Sequence, residues 1–167
     1  FSYLSGENIT KMTAGRPLFV RTPNSHFTLA NFVKTQLYAA FAPLKIGMDI
    51  LANEEHIHLD SLIAQGGLFR TPKVGQQVLA DSLNTPITVT SNAGEGGPWG
   101  MAVLGFFVEN KDVNETLEDF LDNKVFANPD SVTVQPDPSG VAGSNEFIAK
   151  YQAALPVEGK AVDVLTD

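Results

Sequence analysis

Between residues 27 and 51 the apolar positions Phe27, Leu29, Phe32, Val33, Leu37, Phe41, Leu44, Ile46 and Ile50 recur every three to five residues, the spacing of one face of a helix. Ser25 offers an N-cap, and Pro43 and Gly47 interrupt the stripe, which predicts either one kinked helix or two pieces. Residues 59–64 (LDSLIA) then read as a short buried strand, followed at once by Gly66 and Gly67. A helix over 73–84 carries Val74, Val78, Leu79 and Leu83. Asn84-Thr85-Pro86 ends it before the β-branched run Ile87-Thr88-Val89-Thr90. A second glycine segment, 91–98 (SNAGEGGP), leads into a helix from Trp99 to about Val108, with Pro98 suited to its first turn. Further on, 114–121 predicts a short helix, 131–134 a short strand and 144–154 a terminal helix, with 135–140 (QPDPSG) as a turn or loop. Strand and helix alternate, so the expectation is an α/β fold: strands 59–64 and 86–90 run parallel, with helices 27–51, 73–84 and 98–108 packed around them.

Composition narrows the function classes. The chain has 167 residues, 43% hydrophobic and 18% charged, enough for one domain with a real core. Eleven basic residues against nineteen acidic ones leave a net charge of −8. Such a field repels polyanions, so no nucleic-acid partner is expected and any phosphate must be held by local groups. No run of eighteen apolar residues and no charged-then-apolar leader is present, so neither a membrane partner nor a signal peptide is expected. With no cysteine, disulfides and thiolate metal sites are excluded and a cytoplasmic setting is the plain reading. The opening FSYLSGE lacks a methionine, and the expectation is a piece of a longer polypeptide.

Both glycine segments follow a strand and precede a helix, where α/β proteins bind ligands. Glycine permits φ > 0 and lets the main chain approach a ring or a phosphate. Neither segment has a standard nucleotide fingerprint: counted from Gly94, the third glycine of G-x-G-x-x-G falls on Trp99, and no lysine followed by Ser or Thr completes a P-loop. The residues alone therefore leave ligand binding and tight strand–helix packing both open, and the small residues of 97–105 favour packing. His56 and His58 alternate within EEHIHLD, which on a strand would place both on one face near acids. A solvated connection is the commoner outcome for such a run. His26 beside Ser25 reads as part of a helix start, and Glu7 as a working carboxylate or an ion-pair partner of Arg16.

Taken in order, these segments resemble the C-terminal part of FGGY-type carbohydrate kinases, the group containing xylulokinase, ribulokinase, gluconokinase and glycerol kinase. YLSGE at 3–7 resembles the family's loop before its long helix, and 27–51 that helix. LIAQGGLFRTPKVGQQVLADSLNTPITV at 62–89 resembles its strand, glycine turn, helix and next strand. GEGGPWGMAVLGFF at 94–107 resembles the following glycine-rich helix, and Val134-Gln135-Pro136-Asp137 before a helix with Tyr151 its tail.

The resemblance implies ATP- and Mg²⁺-dependent phosphorylation of a sugar or polyol in a cleft between two lobes of the actin/hexokinase/ribonuclease-H-like ATPase fold. Residues 1–167 would be a partial second, C-terminal lobe. Carried over by position, Gly66, Gly67 and Thr71 lie against the adenosine and α-phosphate side of ATP. The phosphate loop, the catalytic base and most sugar contacts belong to the other lobe, so no catalytic residue and no metal ligand is assigned here. Asn8 stands where the family's loop continues with Arg, and one extra residue lies between Thr71 and Asp81, which Gly75 is expected to absorb. The loop-helix block TSNAGEGGPWGMAVLG points to a ketopentose kinase of the xylulokinase or ribulokinase kind. The competing readings are a non-catalytic nucleotide-binding or assembly module retaining the half-fold, and a plain α/β interaction domain whose glycines only pack helices. Many of these kinases dimerise, so a homo-oligomer is a further expectation.

Overall fold

Thr28 starts the long helix that the apolar stripe predicts. In the computed structural model, which describes residues 1–91, 93–127 and 130–165, its hydroxyl accepts from the Asn31 N–H at 3.2 Å, and α1 runs Leu29–Asn53. The cap is Thr28 rather than Ser25, because Ser25 closes a turn of its own by donating its N–H to the Thr22 carbonyl at 3.0 Å. Pro43 lies inside α1 without ending it. Tyr38, Ala39, Phe41 and Ala42 are buried just before it, and tertiary packing of this kind outweighs the one backbone bond that proline removes.

The sheet has three strands in the order β1 (Leu62–Ile63), β2 (Ile87–Thr90) and β3 (Ser131–Val134). β1 and β2 are parallel, as expected, and β3 is antiparallel to β2. β1 is shorter than the 59–64 span because only Leu62 and Ile63 find partners on β2, at Ile87 and Thr88. Register puts Leu62, Ile87 and Val134 on one face, where α2 (Val74–Leu83) packs with Val78 and Leu79 against them. The opposite face carries Ile63, Thr88 and Thr133, with the two threonine hydroxyls 2.7 Å apart. Ile63 remains exposed there. Gln76, buried in α2, donates its amide to the Ile87 and Val132 carbonyls at 2.9 and 2.7 Å and so ties the helix to both β2 and β3.

The last helix, α5, runs Pro138–Val164. It is much longer than the predicted 144–154, and its start overturns the reading of 135–140 as only a loop. Asp137 is the N-cap, accepting from the Ser139 and Gly140 N–H groups, and Pro138 occupies the first turn. The proline that suggested a turn is thus also a helix start. The Asp81 carboxylate accepts from the Asp137 N–H at 2.8 Å and lies directly on the bare Cα of Gly140, which docks α5 on α2. α1, α2 and α5 together cover one face of the sheet.

The helix at 98–108 departs most from expectation. α3 spans Gly96–Asn110 and has no buried residue. It does not pack around the strands; it leans on the preceding 3₁₀ turn (Ala93–Glu95) and on aromatic pairs, Trp99 with Phe126 and Phe106 and Phe107 with Phe120. Phe120 is the fully buried end of the short α4 (Leu117–Phe120), which Thr116 and Asp119 cap reciprocally before a π turn over Leu121–Val125. The expected 114–121 helix is correspondingly shorter.

Candidate functional site

The turn after β1 and the turn after β2 meet at the carboxyl ends of the strands. Gly66 has φ 121° and ψ 171° and caps a 3₁₀ turn over Gly67–Phe69. Its N–H donates to the Ala93 carbonyl at 2.7 Å, the main-chain bond between the two turns. Two side chains add to it. Gln65 lies on the bare Cα of Gly96, and the Arg70 stem on that of Gly94, where an added Cβ would meet Arg70 Cγ at 2.7 Å. Arg70 Nη2 also donates to the Glu95 carboxylate. Gly94 and Gly96 are therefore bare because the first turn's side chains occupy their surface, whereas Gly97 in the same segment meets nothing.

Gly66 and Gly67 differ from these. A Cβ at either would have nothing within 4 Å. At Gly66 the backbone itself demands glycine, since φ near 120° with extended ψ is closed to side-chain-bearing residues. At Gly67 neither conformation nor packing does.

Beside this double turn lies a cleft of about 510 Å³ on the α2 face of the sheet. Its floor is Val89, Val132 and the Gln76 amide, and its walls are Phe69, Arg70 and Lys73 on one side and Gly94, Glu95 and Asp130 on the other. Lys73, with φ 67°, is the N-cap of α2. Gly75 seats its Cα under the Leu68 carbonyl, where a Cβ would come to 2.9 Å. The cleft presents Arg70 and Lys73 to an otherwise acidic molecule, with Thr90 and Ser91 as polar groups at its edge. The carboxylates of Glu95 and Asp130 line the same cleft and Arg70 is bound to Glu95, so Lys73 is the cation that faces it beside the apolar surface of Phe69 and the valines.

Gly66, Gly67 and Thr71 are not among the residues lining the cleft; they lie in the turn that forms its wall. Sequence reading missed Arg70, Lys73, Glu95 and Asp130. The available signal was a cation in one glycine turn and an anion in the other. His56 and His58 fall in an exposed connection, His56 at φ 55°, rather than on a strand, and among the described residues no group of three or more His, Asp or Glu side chains is arranged to hold a metal. Glu7 accepts from the Ile9 N–H at 3.0 Å, whereas Arg16 lies at the far end of α5, its N–H donating to the buried Glu158 carboxylate at 2.7 Å. The Glu7–Arg16 pair is absent from the ion pairs of the described residues. No helix among those residues is long and apolar enough to cross a membrane.

The family described as FGGY family of carbohydrate kinases, C-terminal domain, matches residues 1–108. This span takes in the YLSGE loop, α1, both glycine turns and most of α3, and leaves the resemblance of the 134–151 tail outside it. No curated protein matches the chain. Members of the family are phosphotransferases acting on carbohydrates. With nearly two-thirds of its length inside the match and a mixed α/β core, the chain belongs to the FGGY family of carbohydrate kinases and contains the C-terminal lobe of their actin/hexokinase-like fold.

Proposed function

We propose that residues 1–167 form a single lobe, the nucleotide side of a longer cytoplasmic kinase that transfers phosphate from ATP to a ketopentose such as ribulose or xylulose. Gly66, Gly67 and Thr71 flank the adenosine and α-phosphate, and the cleft between the two glycine turns receives the nucleotide. The observation carrying this reading is the contrast among the glycines. Gly94 and Gly96 are filled by Arg70 and Gln65, whereas Gly67 faces open space beside a cleft at the carboxyl ends of parallel strands. A backbone left bare for no intramolecular reason suits the close approach of a ligand.

The residues present fit an adenosine phosphate: Phe69 and the valines offer apolar surface, and Lys73 offers positive charge. Magnesium is assigned to the nucleotide and the other lobe. The preference for a ketopentose rests on the block at 90–105. A non-catalytic module retaining the half-fold is the alternative, and turnover by the full-length protein decides against it.

The test is Gly67→Val in the full-length kinase, assayed by sugar-dependent ADP release with ribulose, xylulose, gluconate and glycerol. A branched side chain at this position fills the space offered to ATP. The KM for ATP should rise at least about tenfold while the KM for sugar stays within about twofold. A loss of sugar affinity with ATP unaffected refutes the assignment.

A further inference from the structure

We propose that Arg70 and Glu95 act as a positioning pair, a clasp that sets the separation of the two glycine turns and thereby the nucleotide affinity of the cleft. The inference rests on the nucleotide reading of that cleft. Arg70 lies in the turn after β1 and Glu95 in the turn after β2, and their side chains meet across the seam. Both line the cleft. The guanidinium also points at the Gly94 carbonyl at 3.5 Å, and its stem lies on the bare Cα of the same glycine.

Stability does not account for such an arrangement. The side chains are 61% and 63% exposed, and ion pairs that open to solvent contribute little to folding. What the pair does supply is geometry. Behind it the turns are tied by the Gly66 N–H to Ala93 carbonyl bond and by Gln65 on Gly96, both close to the strand ends. Beyond the strand ends, Arg70 and Glu95 join the two cleft walls among the described residues. A cleft whose walls are fixed before binding loses less ordering entropy on taking up ligand.

The test is a double-mutant cycle in the full-length kinase with Arg70→Glu, Glu95→Arg and the charge-swapped pair, alongside Arg70→Met, which keeps the stem over Gly94 without the charge. Each single variant should raise the KM for ATP by roughly three- to tenfold, leave the KM for sugar unchanged and shift the melting temperature little. The swapped pair should recover most of the lost ATP affinity. Two results of the cycle overturn the clasp: single variants that leave the KM for ATP unchanged, or a swapped pair as weak as the worse single variant, which would mean that each residue meets the nucleotide on its own. Tighter ATP binding by Glu95→Gln also overturns it, since Glu95 would then be withholding Arg70 from the ligand. Gly67→Val separates the two levels of inference. If it weakens ATP while the clasp variants do not, the nucleotide site stands and the clasp falls; if it too leaves ATP unaffected, the nucleotide reading itself fails.

Discussion

Adjacent glycines in one turn have different reasons for being glycine, and substitution should separate them. At Gly66, φ of 121° with extended ψ opposes any Cβ, so Gly66→Ala should cost about 1–3 kcal/mol of stability. Gly67→Ala meets open space and should stay within about 0.5 kcal/mol of the parent. Urea titrations of the two variants check the contrast, and equal costs would contradict it. Gln76 is a residue-scale counterpart in the core. Replacing it with Leu leaves the buried Ile87 carbonyl and the half-buried Val132 carbonyl without this donor and should cost about 1–3 kcal/mol, read as a drop in the unfolding midpoint with unchanged slope.

Helix starts decide where the elements begin, and two of them are held by aspartates. The Ser139 hydroxyl, helped by the Gly140 and Ser139 N–H groups, holds the Asp137 carboxyl below its ordinary value of 3.8 at the start of α5. Thr116 does the same to Asp119 at the start of α4. A carboxylate depressed on folding contributes stability that is fully present above its unfolded pKa and is lost as pH falls through the lower folded value. Stability should therefore decline on acidification below about pH 4. Asp137→Asn keeps an acceptor but no titrating group, so its midpoint should fall less steeply through that window, while Asp137→Ala should be less stable than the parent at neutral pH. Midpoints followed as a function of pH provide the measurement. A slope for Asp137→Asn equal to the parent's would show that the cap carries none of the acid sensitivity.

At the scale of the molecule, one face of the sheet is covered by α1, α2 and α5, whereas the other face and the side of α3 away from its aromatic contacts are open. Met101 and Val108, both about two-thirds exposed or more, lie seven residues, nearly two turns, apart, each about one turn from Leu104 and Gly105, on a helix with no buried residue. Such surface promotes association. The 167-residue chain should therefore sediment as concentration-dependent species, and Met101→Glu with Val108→Lys should shift it towards monomer without lowering its melting temperature. The same chain should show no sugar-dependent ADP release. Phosphoryl transfer needs base, metal and γ-phosphate aligned within about 3–3.5 Å, and on the proposed single-lobe reading residues 1–167 carry the nucleotide side alone. Turnover near the full-length rate would mean that a carboxylate of this chain, Glu7 or Glu95, does the chemistry.

Periodicity and local chemistry were enough for the elements whose partners are near in sequence. The α1 stripe, the β-branched run at Ile87–Thr90, the left-handed Asn84 that closes α2 and the parallel β1–β2 pair all follow from spacing, side-chain type and the strand–helix alternation. Sequence likewise marked both glycine turns, because glycine pairs between a strand and a helix are a local signal. What it did not contain was which neighbour each glycine meets. Gly94 and Gly96 are bare for Arg70 and Gln65, more than twenty residues earlier, and Gly67 is bare for nothing in the chain. The extension of α5 back to Pro138 depends on Asp81 docking against Gly140, and the continuity of α1 through Pro43 on packing from α5 and α2. Even α3, hydrophobic nearly throughout, has no residue fully buried. Hydrophobicity states that a helix gains by burial, but only the arrangement of the other elements decides whether there is a surface to bury it against.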